Sequence, residues 1–93
     1  MKYEVKSSAT YEKDIKKLAK SGIKYKDRRD DIINHLKQTG SLPDKYESKQ
    51  LGGNLKAYYS CRVTYRLRLI YTVFEKERLI VLVRIGHRKD IYG

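Results

Sequence analysis

The chain has 93 residues and a formal net charge of +11 at neutral pH, with 22 lysines and arginines against 11 acidic residues. This length fits one small domain over residues 1–93, and the charge favours a polyanionic partner, nucleic acid before an acidic protein or an anionic membrane. No apolar run approaches the roughly 20 residues that span a bilayer, and the N-terminus lacks the apolar stretch of a secretory signal, so we expect a cytoplasmic protein outside the membrane.

Cysteine and histidine are scarce. Cys61 is the only cysteine, so no disulfide can form within the chain. Two histidines and one cysteine show no spacing typical of zinc ligands, and we expect a domain without metal or cofactor. Cys61 shares the parity of apolar neighbours, which favours a small buried side chain over a nucleophile.

The first half of the chain predicts a strand and two helices. Tyr3 and Val5 alternate with charged residues, which indicates a short, half-buried strand. Residues 7–10 then offer N-cap oxygens, and apolar residues follow at helical spacing as far as Gly22. A second helix is predicted from about Tyr25 to Thr39, ended by the next glycine. The two helices should form a hairpin with one apolar face each.

The second half predicts a sheet. Residues 40–50 indicate a loop, and from Leu51 apolar residues recur with a period of two. We predict three antiparallel strands over about 55–63, 65–74 and 78–85, the last one interior because both of its faces are apolar at the centre. The fold class is therefore α+β: an N-terminal strand, a helical hairpin and a three-stranded antiparallel sheet, with the helices on one sheet face. The predicted core parity comprises Leu55, Ala57, Tyr59, Cys61, Val63, Tyr65, Leu67, Leu69, Tyr71, Val73, Leu79, Val81, Val83 and Ile85.

The excess positive charge belongs mainly to the sheet. Residues 48–93 carry ten basic and three acidic side chains, and no acid occurs between Ser48 and Phe74. The residues of opposite parity to the core predict an open sheet face rich in arginine. The planar guanidinium group of arginine can bind a phosphate with two hydrogen bonds, and Tyr58 on the same face could stack on a base. The alternative is a merely solvated face. The cations on this parity are Lys56, Arg62, Arg66, Arg68 and Arg84.

The last ten residues, 84–93, collect reactive groups at one strand end. They supply a glycine break at Gly86, an imidazole, two guanidinium groups, an ammonium group and a phenol. Such groups can handle a phosphodiester without a metal, if the sheet places further cations beside them.

Two segments carry a resemblance to a known superfamily. Leu-Gly-Gly-Asn-Leu-Lys-Ala-Tyr at 51–58, followed by Leu-Ile-Tyr at 69–71, resembles the YafQ branch of the RelE/ParE toxins of type II toxin–antitoxin modules. Arg-Ile-Gly-His-Arg-Lys-Asp-Ile-Tyr at 84–92 is typical of the RelE branch. The resemblance implies a RelE-like fold and a metal-independent endoribonuclease that cuts mRNA in the ribosomal A site and inhibits translation. The 2′-hydroxyl attacks the neighbouring phosphate and leaves a 2′,3′-cyclic phosphate and a 5′-hydroxyl.

The resemblance also implies residue roles. Arg68 and Arg88 fall on the family's phosphate-clamping arginines, and Tyr92 falls on its terminal tyrosine, a proton acceptor or base-stacking group. The catalytic histidine of the YafQ branch, however, aligns with Arg88. A histidine and an acid on that branch's sheet align with Arg62 and Arg66, and a loop histidine aligns with Lys49. The proton-transfer groups therefore cannot be copied from either branch.

His87 is the open position at the chain's end. An imidazole next to Arg88 suits general acid–base work, although it can equally pack the strand end or only touch phosphate. Whether His87 or Tyr92 moves the proton stays open here. The predicted catalytic set is Arg68, His87, Arg88 and Tyr92, and the predicted phosphate-binding set is Lys49, Lys56, Arg62, Arg66, Arg84 and Lys89.

Three functions remain in competition. The leading one is the ribosome-dependent endoribonuclease, whose partners are mRNA on the ribosome, with contacts to 16S ribosomal RNA, and a cognate acidic or amphipathic antitoxin. The second is a ParE-like inhibitor of DNA gyrase without hydrolytic activity. The third is an inactive homologue that only binds nucleic acid.

Overall fold

The computed structural model describes residues 2–53 and 57–92, the side chain of Tyr92 excepted. Two predicted residues of the second half, Leu55 and Lys56, thus lie outside the described residues. In chain order the elements are β1 (Glu4–Ser7), α1 (Ala9–Ser21), α2 (Lys26–Thr39), a 3₁₀ turn (Asp44–Tyr46), β2 (Lys49–Gln50), β3 (Tyr58–Arg62), β4 (Leu67–Phe74), β5 (Leu79–His87) and α3 (Arg88–Tyr92).

The strands form one sheet in the order β1-β5-β4-β3-β2. β1 runs parallel to β5, and the other neighbours are antiparallel. The predicted α+β class, the helical hairpin and the interior position of the last long strand are confirmed. The sheet has two strands beyond the antiparallel three, because β1 joins its edge and β2 pairs with β3. β2 is two residues long, too short for an alternating pattern to predict it.

The start of α1 is tied to β5. Ser8 is the N-cap, and its Oγ accepts a hydrogen bond from the Tyr11 amide at 3.0 Å. The same hydroxyl donates to the Val83 carbonyl at 2.8 Å, while the Ser8 amide donates to the Leu82 carbonyl at 2.9 Å. The predicted N-cap therefore also fixes the middle of the last strand.

A β-bulge interrupts the pairing of β4 with β5. Tyr71 lies opposite Leu82, whereas the preceding residue, Ile70, lies opposite Arg84, so Val83 is an extra residue on β5. A bulge inverts the alternation of side chains beyond it. The hydroxyl of Ser8 donates to the carbonyl of this extra residue.

The bulge makes part of the predicted core wrong. Ile80 and Leu82 are buried before it and Ile85 after it, at 0%, 3% and 1% exposure. The sequence prediction assumes that side chains alternate without interruption along the whole of β5. It therefore assigns to the core the residues that face away from it before the bulge. Those predicted residues, which are only partly buried, are Leu79, Val81 and Val83.

The prediction for Tyr65 is also wrong. Residues 63–66 form a turn between β3 and β4, and the Tyr65 side chain is 89% exposed. The Val63 amide donates to the Leu67 carbonyl at 2.9 Å, which closes the turn. Ala57, the other misplaced core residue, is exposed just before β3. The turn contains neither glycine nor proline, so its sequence continues the strand pattern without a break.

The second face of the sheet is less open than predicted. Ser60, Ile70 and Thr72 lie on it and are exposed by at most 7%. The guanidinium groups of this face are instead gathered at one end, where Arg62 pairs with Arg68. The predicted broad basic surface is in fact a local one.

The core lies between the helical hairpin and the sheet. No described helix is both long and apolar enough to cross a membrane. The buried hydrophobic residues of the main cluster are Tyr11, Leu18, Tyr25, Ile32, Leu36, Tyr46, Cys61, Val63, Leu67, Leu69, Tyr71, Ile80, Leu82 and Ile85.

Gly40 should be intolerant of any side chain. It ends α2 with a φ of 74°, and a Cβ there would lie 2.6 Å from Cζ of Tyr3, whose hydroxyl donates to Glu75 at 2.7 Å. We expect Gly40→Ala to lower the free energy of unfolding by about 2 kcal/mol, from the left-handed backbone and the displaced ring together. Gly22→Ala is the matched control, since its φ is 77° with nothing within 4 Å of the added carbon. Urea denaturation measures both variants. If the free energy of unfolding falls equally in Gly40→Ala and Gly22→Ala, contact with the Tyr3 ring contributes nothing.

Candidate nucleic-acid interface

Strand register brings the predicted arginines together at one end of the sheet. Arg62 on β3 lies opposite Arg68 on β4, and Arg68 lies opposite Gly86 on β5. A Cβ added to Gly86 would lie 3.4 Å from Cγ2 of Ile91, so the missing side chain lets α3 pack closely against β5. One residue separates Gly86 from Arg88, where β5 gives way directly to α3. Strand register and the start of α3 thus bring Arg62, Arg68 and Arg88 to the same end of the sheet.

These residues line a cleft of about 610 Å³, which we call the basic cleft. Five of its side chains are cationic and a single one is acidic, so its field attracts anions. Its lining residues are Arg62, Tyr65, Arg66, Arg68, His87, Arg88, Lys89 and Asp90.

Arg68 and Arg88 occupy the centre of the site. They also line a second hollow of about 270 Å³, together with Lys49 and Leu51. Since both arginines border both cavities, a chain of nucleotides crossing from one cavity to the other would pass these two guanidinium groups. Two forks on separate elements can bind the non-bridging oxygens of one phosphate from two directions.

The two candidates for proton transfer lie at the junction of β5 and α3. His87 is partly buried opposite Leu67, and it lines both the basic cleft and a cavity of about 130 Å³ between α1 and α3. Both interpretations of His87, chemical and structural, are therefore compatible with its position. Tyr92 ends α3, four residues after Arg88. Because its side chain is outside the described atoms, its role stays a prediction.

Arg62 is partly engaged before any ligand arrives. Its Nη1 lies 2.9 Å from Oε2 of Glu47. Its Nε is buried and has no hydrogen-bond partner among the described residues. An unpaired buried donor costs free energy.

Arg84 does not line the basic cleft. Its Nε and Nη2 each lie 3.2 Å from the carboxylate of Asp14 on α1, in a two-point ion pair. The same carboxylate accepts the Ile85 amide at 3.1 Å and is buried. The hydrogen bond that Arg84 donates to Asp14 raises the pKa of Arg84 above its ordinary value, so the guanidinium stays charged. The structure thus gives Arg84 an intramolecular partner where the sequence predicted a phosphate ligand. An acid 70 positions away cannot be read as that partner from sequence.

Of the remaining predicted residues, three line one of the two cavities and two do not or lie outside the described residues. Arg66 and Lys89 line the basic cleft, and Lys49 lines the second hollow, as the phosphate-binding prediction requires. Lys56 lies outside the described residues, and Tyr58, the predicted stacking residue, lines neither cavity.

Two residues of the basic cleft were missed. The parity rule places Tyr65 in the core, although it predicts its neighbour Arg66, on the same short turn, to bind phosphate. Asp90 is the acid of the cleft, and in the sequence it follows Arg88 and Lys89 as an ordinary exposed helix residue. The hydroxyl of Thr64, which can accept bonds within its own turn, was the one available sequence signal for the turn.

Cys61 carries no reactive thiol in this fold. It is fully buried, and burial raises the pKa of its thiol to about 12. Within residues 2–53 and 57–92, no three His, Cys, Asp or Glu side chains come together as metal ligands. We expect a maleimide reagent at pH 8 to leave native Cys61 unlabelled and to label it within minutes in urea, because only unfolding exposes the thiol. Mass spectrometry checks this, and rapid native labelling would contradict the buried position.

Family comparison agrees with the fold. The profile of the bacterial toxin of type II toxin–antitoxin systems, YafQ, matches residues 3–93. No curated protein sequence matches significantly.

Solved structures of such toxins superpose on nearly the whole chain. YafQ in the DinJ–YafQ toxin–antitoxin complex from E. coli is 26% identical, with a TM-score of 0.83 and complete coverage of both chains. A histidine-to-glutamine mutant of E. coli YafQ is also 26% identical, with a TM-score of 0.82 over 98% of this chain and 99% of that one. A metal-bound toxin from Helicobacter pylori is 28% identical, with a TM-score of 0.84 over 96% and 98%.

Proposed function

This chain belongs to the YafQ family of bacterial type II toxins, and from that premise we propose that it is a ribosome-dependent endoribonuclease that cuts mRNA in the A site. The observation that carries the proposal is the position of Arg68 and Arg88 at the border of two adjoining cavities that lie among cations. A phosphodiester between two nucleotides is the anion that such a two-sided clamp fits.

The proposed reaction is a transesterification. The 2′-oxygen loses its proton and bonds to the adjacent phosphorus, and the bond from phosphorus to the 5′-oxygen breaks as that oxygen gains a proton. Negative charge accumulates on the non-bridging oxygens, where Arg68 and Arg88 stabilise it. His87 and Tyr92 are the candidates for removing and delivering the protons. Arg62, Arg66, Lys49 and Lys89 bind flanking phosphates.

The proposed reaction is independent of metal. One relative is a metal-bound toxin, but the basic cleft here presents five cations and one carboxylate to its contents. A divalent cation would be repelled by that field, whereas the guanidinium groups themselves supply the charge that the transition state needs.

The proposed partners follow from the same surface. On the ribosome in the cytoplasm, the basic residues around the cleft would contact mRNA and 16S ribosomal RNA. YafQ from E. coli is found in complex with DinJ, and for this chain we propose a cognate antitoxin, acidic or amphipathic, that neutralises the basic cleft.

A cell-free translation reaction tests the proposal. The protein is added to a defined message, and 5′ ends are mapped by primer extension, with and without ribosomes. We expect cuts in phase with codons in the translated message alone. A gyrase supercoiling assay runs beside it, and inhibition of supercoiling with an intact message would replace this function by the gyrase-inhibitor alternative.

A further inference from the structure

Tyr65 is a large aromatic side chain in open solvent. It is 89% exposed, against 45% for Phe74, the other exposed large hydrophobic residue among those described. A ring this exposed gains nothing from the core and leaves apolar surface in water, which costs free energy. Its position therefore invites a functional explanation.

The turn that carries Tyr65 is well anchored. The hydroxyl of Thr64 accepts hydrogen bonds from the Arg66 and Leu67 amides, both at 3.3 Å. From α2, Nε of Arg28 donates to the carbonyl of Val63. The backbone on both sides of Tyr65 is thus held in place, so a ligand that meets the ring pays little to order it.

The surroundings of the ring decide what it can bind. Tyr65 lines the basic cleft together with Arg62, Arg66 and Arg68. An apolar side chain of a protein partner would need an apolar pocket, which this charged lining does not provide. A nucleotide offers a flat base for the ring and a phosphate for the neighbouring guanidinium groups.

We propose that Tyr65 is a stacking platform for one base of single-stranded RNA that enters the basic cleft. The proposal rests on the ribonuclease function and deepens it, because it adds a base contact to a site otherwise built from phosphate contacts. Arg62 and Arg66, which line the same cleft, bind the phosphates that flank the stacked nucleotide. Stacking tolerates every base but favours the larger purine surface.

The chain offers a direct spectroscopic test. It contains no tryptophan, so Tyr65→Trp creates a single indole at the proposed platform. The probe is a short RNA with 2′-O-methyl groups throughout, which cannot be cleaved by 2′-oxygen attack, and carries a 5′-fluorescein whose anisotropy reports binding. We expect RNA to quench the indole at Tyr65→Trp and to leave the indole of Phe74→Trp unchanged, because Phe74 ends β4 away from the cleft. Anisotropy that rises without quenching of Tyr65→Trp would overturn the proposal, as would the absence of any RNA binding.

Affinity provides the second measurement. Tyr65→Ala should weaken binding of the same RNA about tenfold, while Tyr65→Phe stays within about twofold of the native protein. Phe74→Ala is the control for losing an exposed ring, and circular dichroism melts confirm folding. Equal affinity of Tyr65→Ala and the native protein contradicts stacking. If the native protein cleaves translated mRNA but Tyr65→Trp is not quenched, only the stacking fails. Quenching without cleavage retains the platform and removes the ribonuclease.

Discussion

Replacing Arg88 by alanine is expected to slow mRNA cleavage at least a hundredfold, with little change in the free energy of unfolding. Arg88 is exposed on α3 and borders both cavities at the site, so its guanidinium contributes to the reaction and not to the core. Removing one preorganised donor from a developing oxyanion typically costs about 3 kcal/mol of transition-state stabilisation. Single-turnover cleavage in a cell-free translation reaction, with saturating protein, measures the effect.

Two variants make this measurement specific to Arg88. Lys76→Ala removes one positive charge from the exposed turn after β4 and should leave cleavage unchanged. Arg88→Lys keeps the charge but loses the two-point fork, and should recover only part of the rate. If Arg88→Ala cleaves at a rate near that of the native protein, Arg88 has no part in the chemistry.

Replacing Asp14 by asparagine is expected to lower the free energy of unfolding by about 2–3 kcal/mol. The buried carboxylate accepts two bonds from Arg84 and one from the Ile85 amide, and the amide of asparagine cannot replace both oxygens. The loss is smaller than for a fully buried pair, because a third of the Arg84 side chain, 34%, reaches solvent. Urea denaturation followed by circular dichroism measures it.

A double-mutant cycle assigns that loss to the pair. Arg84→Met alone should also destabilise, and the double variant should lose less than the two single losses together. Glu77→Gln, an exposed acid on the turn before β5, should change the free energy of unfolding by less than about 0.5 kcal/mol. Additive losses for Asp14→Asn and Arg84→Met would mean that the two side chains act independently.

The fold was largely predictable because its signals are local. The N-cap within residues 7–10, the glycines after both helices and the alternation that predicts the three long strands each act over a few residues, and the structure confirms these elements. Most of the errors in the core lie at two irregularities that a periodic pattern does not encode, the bulge at Val83 and the turn at Tyr65. Each is bonded to a residue far away in sequence, since Ser8 donates to the Val83 carbonyl and Arg28 donates to the Val63 carbonyl.

The candidate site was predictable to a lesser degree. Arg68 and Arg88 came from family resemblance, and strand register explains why they meet. Arg84 shows what a charge pattern omits, since its partner Asp14 precedes it by 70 positions. Tyr65 shows the converse, because an exposed turn and a buried strand can have the same alternating sequence. Tyr92 and His87 stay predictions for the proton-transfer step.

The chemistry of the new 5′ end tests the central claim. That claim is that RNA bound in the basic cleft is cleaved by attack of the RNA's own 2′-hydroxyl. RNA cut in the translation reaction is offered to RNA ligase before and after treatment with polynucleotide kinase. Attack by the 2′-oxygen leaves a 5′-hydroxyl, so the downstream fragment should be ligated only after the kinase has added a phosphate. Ligation without kinase would reveal a 5′-phosphate, which attack by water produces and attack by the 2′-oxygen does not, and would contradict the proposed roles of Arg68 and Arg88.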